Sequence, residues 1–133
     1  MGMWNALGGH VEQGETPSFA AIREIKEESG ITVKEVELYS ISTWNYDDDE
    51  IYVYLTNLEE DFDLSIYPMK IDEGIVDFKD IDWIINSKNY GTIDDLRIFL
   101  NDIKEQKKQN YHLIYEDSKL VNYLIKEDLN EKD

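Results

Sequence analysis

The stretch GHVEQGETPSFAAIREIKEESGI, residues 9–31, decides the fold of this chain of 133 residues. Its first part is polar and rich in glycine, which is typical of a loop. Thr16 and Pro17 then form a helix start, with the hydroxyl as N-cap and the proline at the first helical position. Gly30 suits a helix stop, because glycine readily takes the left-handed conformation that ends many helices. The pattern predicts a loop followed by a helix from Pro17 to Ser29.

Three carboxylates stand on one side of this predicted helix. Glu27 and Glu28 stand three and four residues after Glu24, so the three carboxylates lie along one side and repel one another. A solvated charged face is one interpretation, and a metal site is the other. Gly8 and Gly9 permit a backbone carbonyl to turn toward the carboxylates. Carboxylates, a carbonyl and water are the ligands that Mg²⁺ takes, so the loop and helix together form a candidate metal cradle.

Residues 23–31, REIKEESGI, complete a longer pattern with two residues upstream of them. Gly9 stands six residues before Glu15, and Glu15 stands eight residues before Arg23. Arg23 and Glu15 form an opposite-charge pair that can orient metal ligands from behind. At every defined position this spacing matches the Nudix signature, and the chain therefore resembles the Nudix hydrolase superfamily.

The resemblance implies an α/β fold: an α/β/α sandwich around a mixed sheet, with residues 1–133 as one domain and the box at 9–31 as loop–helix–loop. It implies hydrolysis of a pyrophosphate linkage, with Mg²⁺ or Mn²⁺ as cofactor. The implied metal ligands are the carbonyl of Gly8 and the carboxylates of Glu24, Glu27 and Glu28. The implied catalytic groups are Arg23, Glu24 and Glu28, together with Glu73 from a later loop as a further candidate base.

A narrower resemblance comes from the flanks of the box. Trp4 and Asn5, in WNALGG, resemble the opening of MutT-type enzymes that act on oxidised purine nucleoside triphosphates such as 8-oxo-dGTP. That resemblance implies a nucleobase contact for Asn5 and release of a monophosphate and pyrophosphate. Asp94 and Asp95 follow the order of the same group's substrate-side loops, and capping of the next helix is the competing interpretation. ADP-ribose and dinucleoside polyphosphates remain alternative substrates, and a nucleotide-binding module without turnover is an alternative function.

The position of the box predicts an N-terminally truncated fold. In the family the box normally follows two strands, whereas here it begins at residue 9. Sheet edges left without those strands invite pairing with another chain. We therefore expect a homodimer through an exposed sheet edge, or a C-terminal segment that fills the gap.

Charge and composition limit the partners. Thirty acidic residues against thirteen Lys and Arg give a formal charge of −17, which disfavours nucleic-acid polymers and anionic membranes. A purely acidic interaction protein is a further hypothesis, but it leaves the carboxylate spacing unexplained. There is no cysteine, no apolar run long enough to span a bilayer and no leader pattern, so a cytoplasmic protein is expected.

Periodicity outlines the rest of the domain. It predicts strand pieces in 4–12, a long bent or bulged strand in 32–46 and a strand pairing back in 50–58. Residues 59–74 are typical of a loop, 75–78 of a short strand and 81–85 of a short apolar turn or helix. An amphipathic helix is expected over 92–107, a hairpin from 111–115 and 120–125, and a frayed tail over 126–133.

Overall fold

The computed structural model describes residues 3, 5–59, 61–71, 74–86 and 94–126, which form a mixed α/β structure. In chain order its elements are α1 (Pro17–Ser29), β1 (Glu37–Trp44), β2 (Glu50–Leu55), β3 (Met69–Ile71), β4 (Gly74–Val76), α2 (Ile81–Ile85), α3 (Asp94–Lys104), β5 (Asn110–Glu116) and β6 (Lys119–Lys126).

The main sheet has four strands in the order β2-β1-β5-β6. β1 and β2 pair antiparallel, as do β5 and β6, whereas β1 and β5 pair parallel through Thr43 opposite His112 and Trp44 opposite Leu113. The C-terminal hairpin therefore lies directly beside β1. The mixed sheet with helices packed against it confirms the predicted fold class. β3 and β4 form a separate two-stranded sheet.

Helix α1 begins and ends where its sequence predicts. The hydroxyl oxygen of Thr16 accepts a hydrogen bond from the Phe19 N–H at 3.2 Å. Gly30 has a φ of +80°, and its N–H donates to the Lys26 carbonyl at 2.9 Å. The Tyr67 hydroxyl donates to the Ser29 carbonyl at 2.7 Å, which satisfies another backbone group at the helix end. These contacts fix both ends of the helix that carries the box carboxylates.

The core lies where α3 covers the sheet. Phe99 of α3 packs edge-on against Tyr111 of β5, with 6.1 Å between ring centroids, and Leu113 is fully buried beside them. The Tyr111 hydroxyl donates to the buried carboxylate of Asp102, which ties the far end of α3 to β5. This packing holds α3 and the hairpin in a fixed relation.

Several predicted boundaries are wrong. β1 begins at Glu37 rather than at residue 32, although its irregular register between Leu38 and Ser40 confirms the expected bulge. β2 ends at Leu55, and α3, predicted to run to residue 107, ends at Lys104 before Gln106 turns to a φ of +56°. The expected loop over 59–74 contains β3. Residue 126, expected to begin the tail, still belongs to β6, and residues 127–133 lie outside the described part of the chain.

The strand pieces expected in residues 4–12 are absent from residues 5–12, and residue 4 lies outside the described part of the chain. The physical reason is that side chains, rather than a neighbouring strand, satisfy this backbone. The Gly8 and Glu12 N–H groups donate to the carboxylates of Glu28 and Glu15, and the His10 carbonyl accepts from the Arg23 guanidinium. The segment is a loop bound to α1.

Among the described residues, no helix combines the length and the apolar character needed to cross a bilayer.

Candidate functional site

The loop before α1 and the carboxylates of α1 are in direct contact. The Gly8 N–H donates to Glu28 Oε1 at 2.9 Å. At Gly9 the backbone passes so close to Glu24 that an added Cβ would lie 2.3 Å from both Cδ and Oε1 of that carboxylate. A Cβ cannot remain at such a distance, so a side chain at residue 9 would displace the Glu24 carboxylate from its present position. The two glycines are thus the points at which the loop meets two of the predicted metal ligands.

Arg23 binds both the loop and the carboxylates. Its Nε and Nη2 form a bidentate ion pair with Glu15, at 2.6 and 2.9 Å. Nη2 also donates to the His10 carbonyl at 3.0 Å, while Nη1 donates to Glu24 at 2.8 Å and to Glu27 at 3.2 Å. All five donor–acceptor contacts belong to one planar guanidinium, a geometry that lysine cannot reproduce. By these contacts Arg23 joins the loop to two of the predicted metal ligands.

The bidentate pair has an electrostatic signature. The hydrogen bond from Arg23, followed by a backbone hydrogen bond at Glu12, holds the pKa of the Glu15 carboxyl below its ordinary value. In the opposite direction, the hydrogen bonds from Glu15 and then from Glu24 raise the pKa of Arg23. Both groups are therefore charged at every physiological pH. The side chains of Glu15 and Arg23 are only 10% and 18% exposed, so the pair is largely sheltered from water.

The donor chemistry of this region fits a hard divalent cation, since Glu24, Glu27 and Glu28 supply carboxylate oxygens beside a glycine loop. The present side-chain positions do not complete a site, because the described residues contain no group of three His, Cys, Asp or Glu arranged to hold a metal ion. Glu24 and Glu27 both bond to Arg23 Nη1, and Glu28 bonds to the loop. Metal binding would require these carboxylate side chains to rearrange. The side chain of Glu27 is 58% exposed and has room to do so.

A second cluster forms where α3 meets the hairpin. The Tyr115 hydroxyl of β5 donates to Asp95 Oδ2 at 3.2 Å, and the Leu120 N–H of β6 donates to Asp94 Oδ2 at 3.1 Å. Burial, which outweighs the Tyr115 hydrogen bond, raises the pKa of the Asp95 carboxyl above its ordinary value. The pair of aspartates therefore joins α3 to both strands of the hairpin.

Aromatic rings lie beside the partly buried Asp95. The ring of Tyr46 stacks on Trp44 with 4.5 Å between centroids and meets Tyr115 edge-on at 5.9 Å. Tyr46 remains 59% exposed, so one side of this cluster is open to solvent. Burial and then the neighbouring Asp95 raise the pKa of Tyr115, so its hydroxyl stays a donor toward that carboxylate. The cluster combines a carboxyl group that can be protonated with an exposed aromatic ring.

The remaining predicted site residues are more dispersed. The Asn5 side chain accepts a hydrogen bond from the Ala6 N–H at 2.8 Å, and within the described chain no hydrogen bond joins it to Asp94 or Asp95. Trp4 and Glu73 lie outside the described residues. The predictions did not include Tyr46 and Tyr115. The closely spaced aromatics at 44 and 46 were the available signal, but their proximity to Asp95 depends on strand pairing.

Comparison with known proteins agrees with the signature in residues 9–31. A family model described as the NUDIX domain matches residues 1–96. The chain is also similar to the NAD-capped RNA hydrolase NudC of Photobacterium profundum, at 33% identity over 58 residues. That alignment covers 44% of this chain and 22% of the relative, so the similarity spans less than a quarter of the relative's length.

Proposed function

Because this chain belongs to the Nudix family, whose domain model matches residues 1–96, we propose that it is a divalent-metal-dependent pyrophosphohydrolase of nucleoside triphosphates. The favoured substrate is an oxidised purine nucleotide such as 8-oxo-dGTP, cleaved to the monophosphate and pyrophosphate. The metal is Mg²⁺, with Mn²⁺ as a substitute.

The observation that carries this proposal is the interlocked loop and helix. Gly9 meets the Glu24 carboxylate, and Gly8 meets the Glu28 carboxylate, while Arg23 joins the loop to Glu24 and Glu27. A charged helix face that is merely solvated needs none of these contacts. An arrangement that holds three repelling carboxylates beside a glycine loop is what binding of a cation and a polyphosphate requires.

The proposed reaction is attack of water on a phosphorus atom of the pyrophosphate linkage. A phosphorus–oxygen bond to the water oxygen forms, the bridging phosphorus–oxygen bond breaks, and the leaving phosphate takes the electron pair. Glu24 or Glu28 accepts the proton of the water, with Glu73 as the further candidate. Arg23 keeps the Glu24 carboxylate in place through its own anchor on Glu15. A bound divalent cation would lower the pKa of the water and neutralise charge on the phosphates.

The cluster around Asp95 supports a purine as the base. A carboxyl group whose pKa is raised by burial can be protonated and donate a hydrogen bond to a purine edge, while Asp94 accepts one. Tyr46 offers an exposed ring for stacking. The alternative role of the two aspartates is structural, because both also tie α3 to the hairpin.

The relative's description as an NAD-capped RNA hydrolase makes a dinucleotide end a substrate to test. The formal charge of −17 disfavours a long RNA partner, so within this alternative the cap dinucleotide is the better candidate. The nucleoside triphosphate and the cap dinucleotide both contain a pyrophosphate joined to a nucleoside. They differ in whether the second phosphate carries another nucleoside, which it does only in the dinucleotide.

The test is a substrate panel of 8-oxo-dGTP, dGTP, ADP-ribose, Ap4A and NAD⁺ with Mg²⁺, with products separated by chromatography. We expect monophosphate and pyrophosphate from 8-oxo-dGTP at the highest kcat/KM. Glu28→Gln should reduce that rate by at least a hundredfold while the chain stays folded. Preferred turnover of NAD⁺ or ADP-ribose would replace the triphosphate proposal. No turnover of any compound by a folded, Mg²⁺-saturated sample would overturn the enzyme proposal.

The second candidate is a nucleotide-binding module with no turnover. The observation that favours it is that Arg23 already forms hydrogen bonds to both Glu24 and Glu27. Such a module would bind 8-oxo-dGTP in calorimetry without releasing pyrophosphate. Glu27→Gln would then leave Mn²⁺ affinity unchanged, whereas the enzyme proposal expects a loss of tenfold or more.

A further inference from the structure

Strand β6 forms one edge of the main sheet, and within the described part of the chain it pairs only with β5. An edge strand that carries large apolar side chains is a template for pairing with another strand. The apolar side chains of β6 that remain about half exposed are Val121 at 51%, Tyr123 at 46%, Leu124 at 55% and Ile125 at 57%. We propose that β6 pairs antiparallel with β6 of a second copy of this chain, with the twofold axis passing through Tyr123.

The backbone of β6 points in the direction that this pairing needs. On β5, the Leu113 carbonyl accepts from the Asn45 N–H at 3.2 Å, and the Tyr111 N–H donates to Ser42 Oγ at 3.2 Å, so both residues direct their backbone groups toward β1. Their partners on β6 are Tyr123 and Ile125. In an antiparallel pair these partners then direct their own N–H and C=O groups away from β5.

One outward N–H group is covered by a side chain. The Tyr123 N–H donates to Asn122 Oδ1 of the preceding residue at 2.8 Å. An exposed donor that is satisfied by its own neighbour can exchange that bond for a carbonyl of another strand. With the axis at Tyr123, the two copies of this residue exchange both backbone hydrogen bonds with each other. Asn122 therefore competes with the second copy for the same donor.

The register through Tyr123 also matches the side chains. It places Leu124 opposite Asn122 of the second copy and Val121, which lies at the register irregularity of β6, opposite Ile125, and it places Lys126 opposite Leu120 rather than opposite Lys119. No lysine of β6 then faces a lysine of the other β6. Two apolar pairs then cross the axis, Tyr123 with its own copy and Val121 with Ile125, and such pairs stabilise cross-strand pairing.

An aromatic row inside the molecule ends at this edge. Phe99 and Tyr111 meet edge-on at 6.1 Å, and Tyr111 and Tyr123 meet edge-on at 5.4 Å. The row runs from the buried core to the half-exposed ring of Tyr123. Across the proposed axis, the aromatic row of one copy would continue into the same row of the second copy. Aromatic contacts would then connect the two cores.

Charge favours β6 over the other edge as the place where two copies meet. A chain with a formal charge of −17 repels its own copy, and the edge strand β2 begins with Glu50 directly after Asp47, Asp48 and Asp49. β6 itself contains no acidic residue and has lysines at both ends, whereas the acids near it, Glu116, Asp117, Glu127 and Asp128, all lie outside the strand. Added salt screens the overall repulsion and should therefore strengthen the dimer.

The test is sedimentation velocity of the full chain from low micromolar to submillimolar concentration, at low and at high NaCl. We expect a reversible dimer that strengthens with salt. Ile125→Lys should weaken it at least tenfold, and Asn122→Ala should strengthen it by removing the competing acceptor. Ile66→Lys is the matched control, because this isoleucine has the same exposed fraction of 57% and lies outside β6.

Hydrogen exchange of the unaltered protein gives a second measurement that does not depend on how any variant folds. The Tyr123 and Ile125 amides should gain protection as the protein concentration rises. A monomer at every concentration in high salt, for both the native chain and Asn122→Ala, would overturn the proposal. Equal weakening by Ile125→Lys and Ile66→Lys, or protection that does not change with concentration, would also overturn it.

Discussion

Gly9 and Glu24 lie so close that a Cβ at residue 9 would be 2.3 Å from the Glu24 carboxylate. Glu24 is 17% exposed, and Arg23 Nη1 binds it at 2.8 Å from the other direction. The carboxylate is thus confined between a glycine backbone and a guanidinium. The φ of Gly9 is not positive. The preference for glycine at residue 9 therefore comes from this contact and not from backbone strain.

The first prediction concerns Gly9→Ala. The new methyl group must push the Glu24 carboxylate aside, which moves only the far end of a flexible side chain. We therefore expect the free energy of unfolding to change by less than about 1 kcal/mol, while Mn²⁺ affinity falls tenfold or more. Calorimetric titration with Mn²⁺ and urea unfolding measure the two effects separately.

The control for this prediction is the same alanine in a Glu24→Gln background. There the ligand is already lost, so Gly9→Ala should add little to the loss of affinity. Additive losses in the two variants would show that the methyl group acts elsewhere in the loop and that its contact with Glu24 is unimportant for binding.

The second prediction concerns Arg23→Lys. A lysine keeps the positive charge but cannot donate simultaneously to Glu15, Glu24 and the His10 carbonyl. We expect a ten- to hundredfold loss of metal affinity, the range seen when groups that orient metal ligands are removed. The loss should appear in kcat at saturating Mg²⁺ as well. If affinity and kcat both stay within twofold of the native values, Arg23 does not position the ligands.

The parts of the fold that depend on local signals could be predicted from the sequence. Thr16, Pro17 and Gly30 mark the ends of α1 through bonds within a few residues, and the helix has those bounds. β3 could not be predicted, because a strand of three residues exists only through its pairing with β4. Likewise, residues 5–12 do not form strands because α1 satisfies their polar groups from a distance in sequence.

The same distinction applies to the candidate site. The pairing of Arg23 with Glu15 was predicted from opposite charges at a fixed spacing, and the two side chains do meet. The contact of Tyr115 with Asp95 was not predicted, because it joins a strand to a helix twenty residues away in sequence. Charge spacing within the box is local information, whereas the neighbours of Asp95 are set by how α3 packs on the sheet.

The third prediction concerns the C-terminal end of α1. Gly30 has a φ of +80°, and nothing lies within 4 Å of a Cβ built there, so Gly30→Ala costs backbone strain alone. We expect destabilisation by roughly 1 kcal/mol, measured by urea unfolding. Since the helix remains formed, the Mn²⁺ affinity of Gly30→Ala should be unchanged under conditions in which the variant is fully folded. An unaltered unfolding midpoint would contradict the left-handed cap.

The last prediction uses the pKa of Asp95. Burial raises this pKa above its ordinary value of 3.8, so the folded chain holds the proton more tightly than the unfolded chain does. Protonation therefore stabilises the folded state at acidic pH. That stabilisation is lost as the pH rises from the ordinary value through the raised value, and at neutral pH the partly buried carboxylate is a net cost.

Asp95→Asn removes the charge and keeps an acceptor for the Tyr115 hydroxyl. At pH 7 the variant should therefore be at least as stable as the native chain, and the difference in urea midpoint should shrink toward pH 4. Tyr115→Phe is the companion variant, because it deletes the hydroxyl that now stabilises the ionised carboxylate and should make the native pH dependence steeper. A native chain whose stability advantage over Asp95→Asn grows from pH 4 to pH 7 would show that Asp95 is stabilised as the anion, and it would exclude the neutral donor proposed for a purine edge.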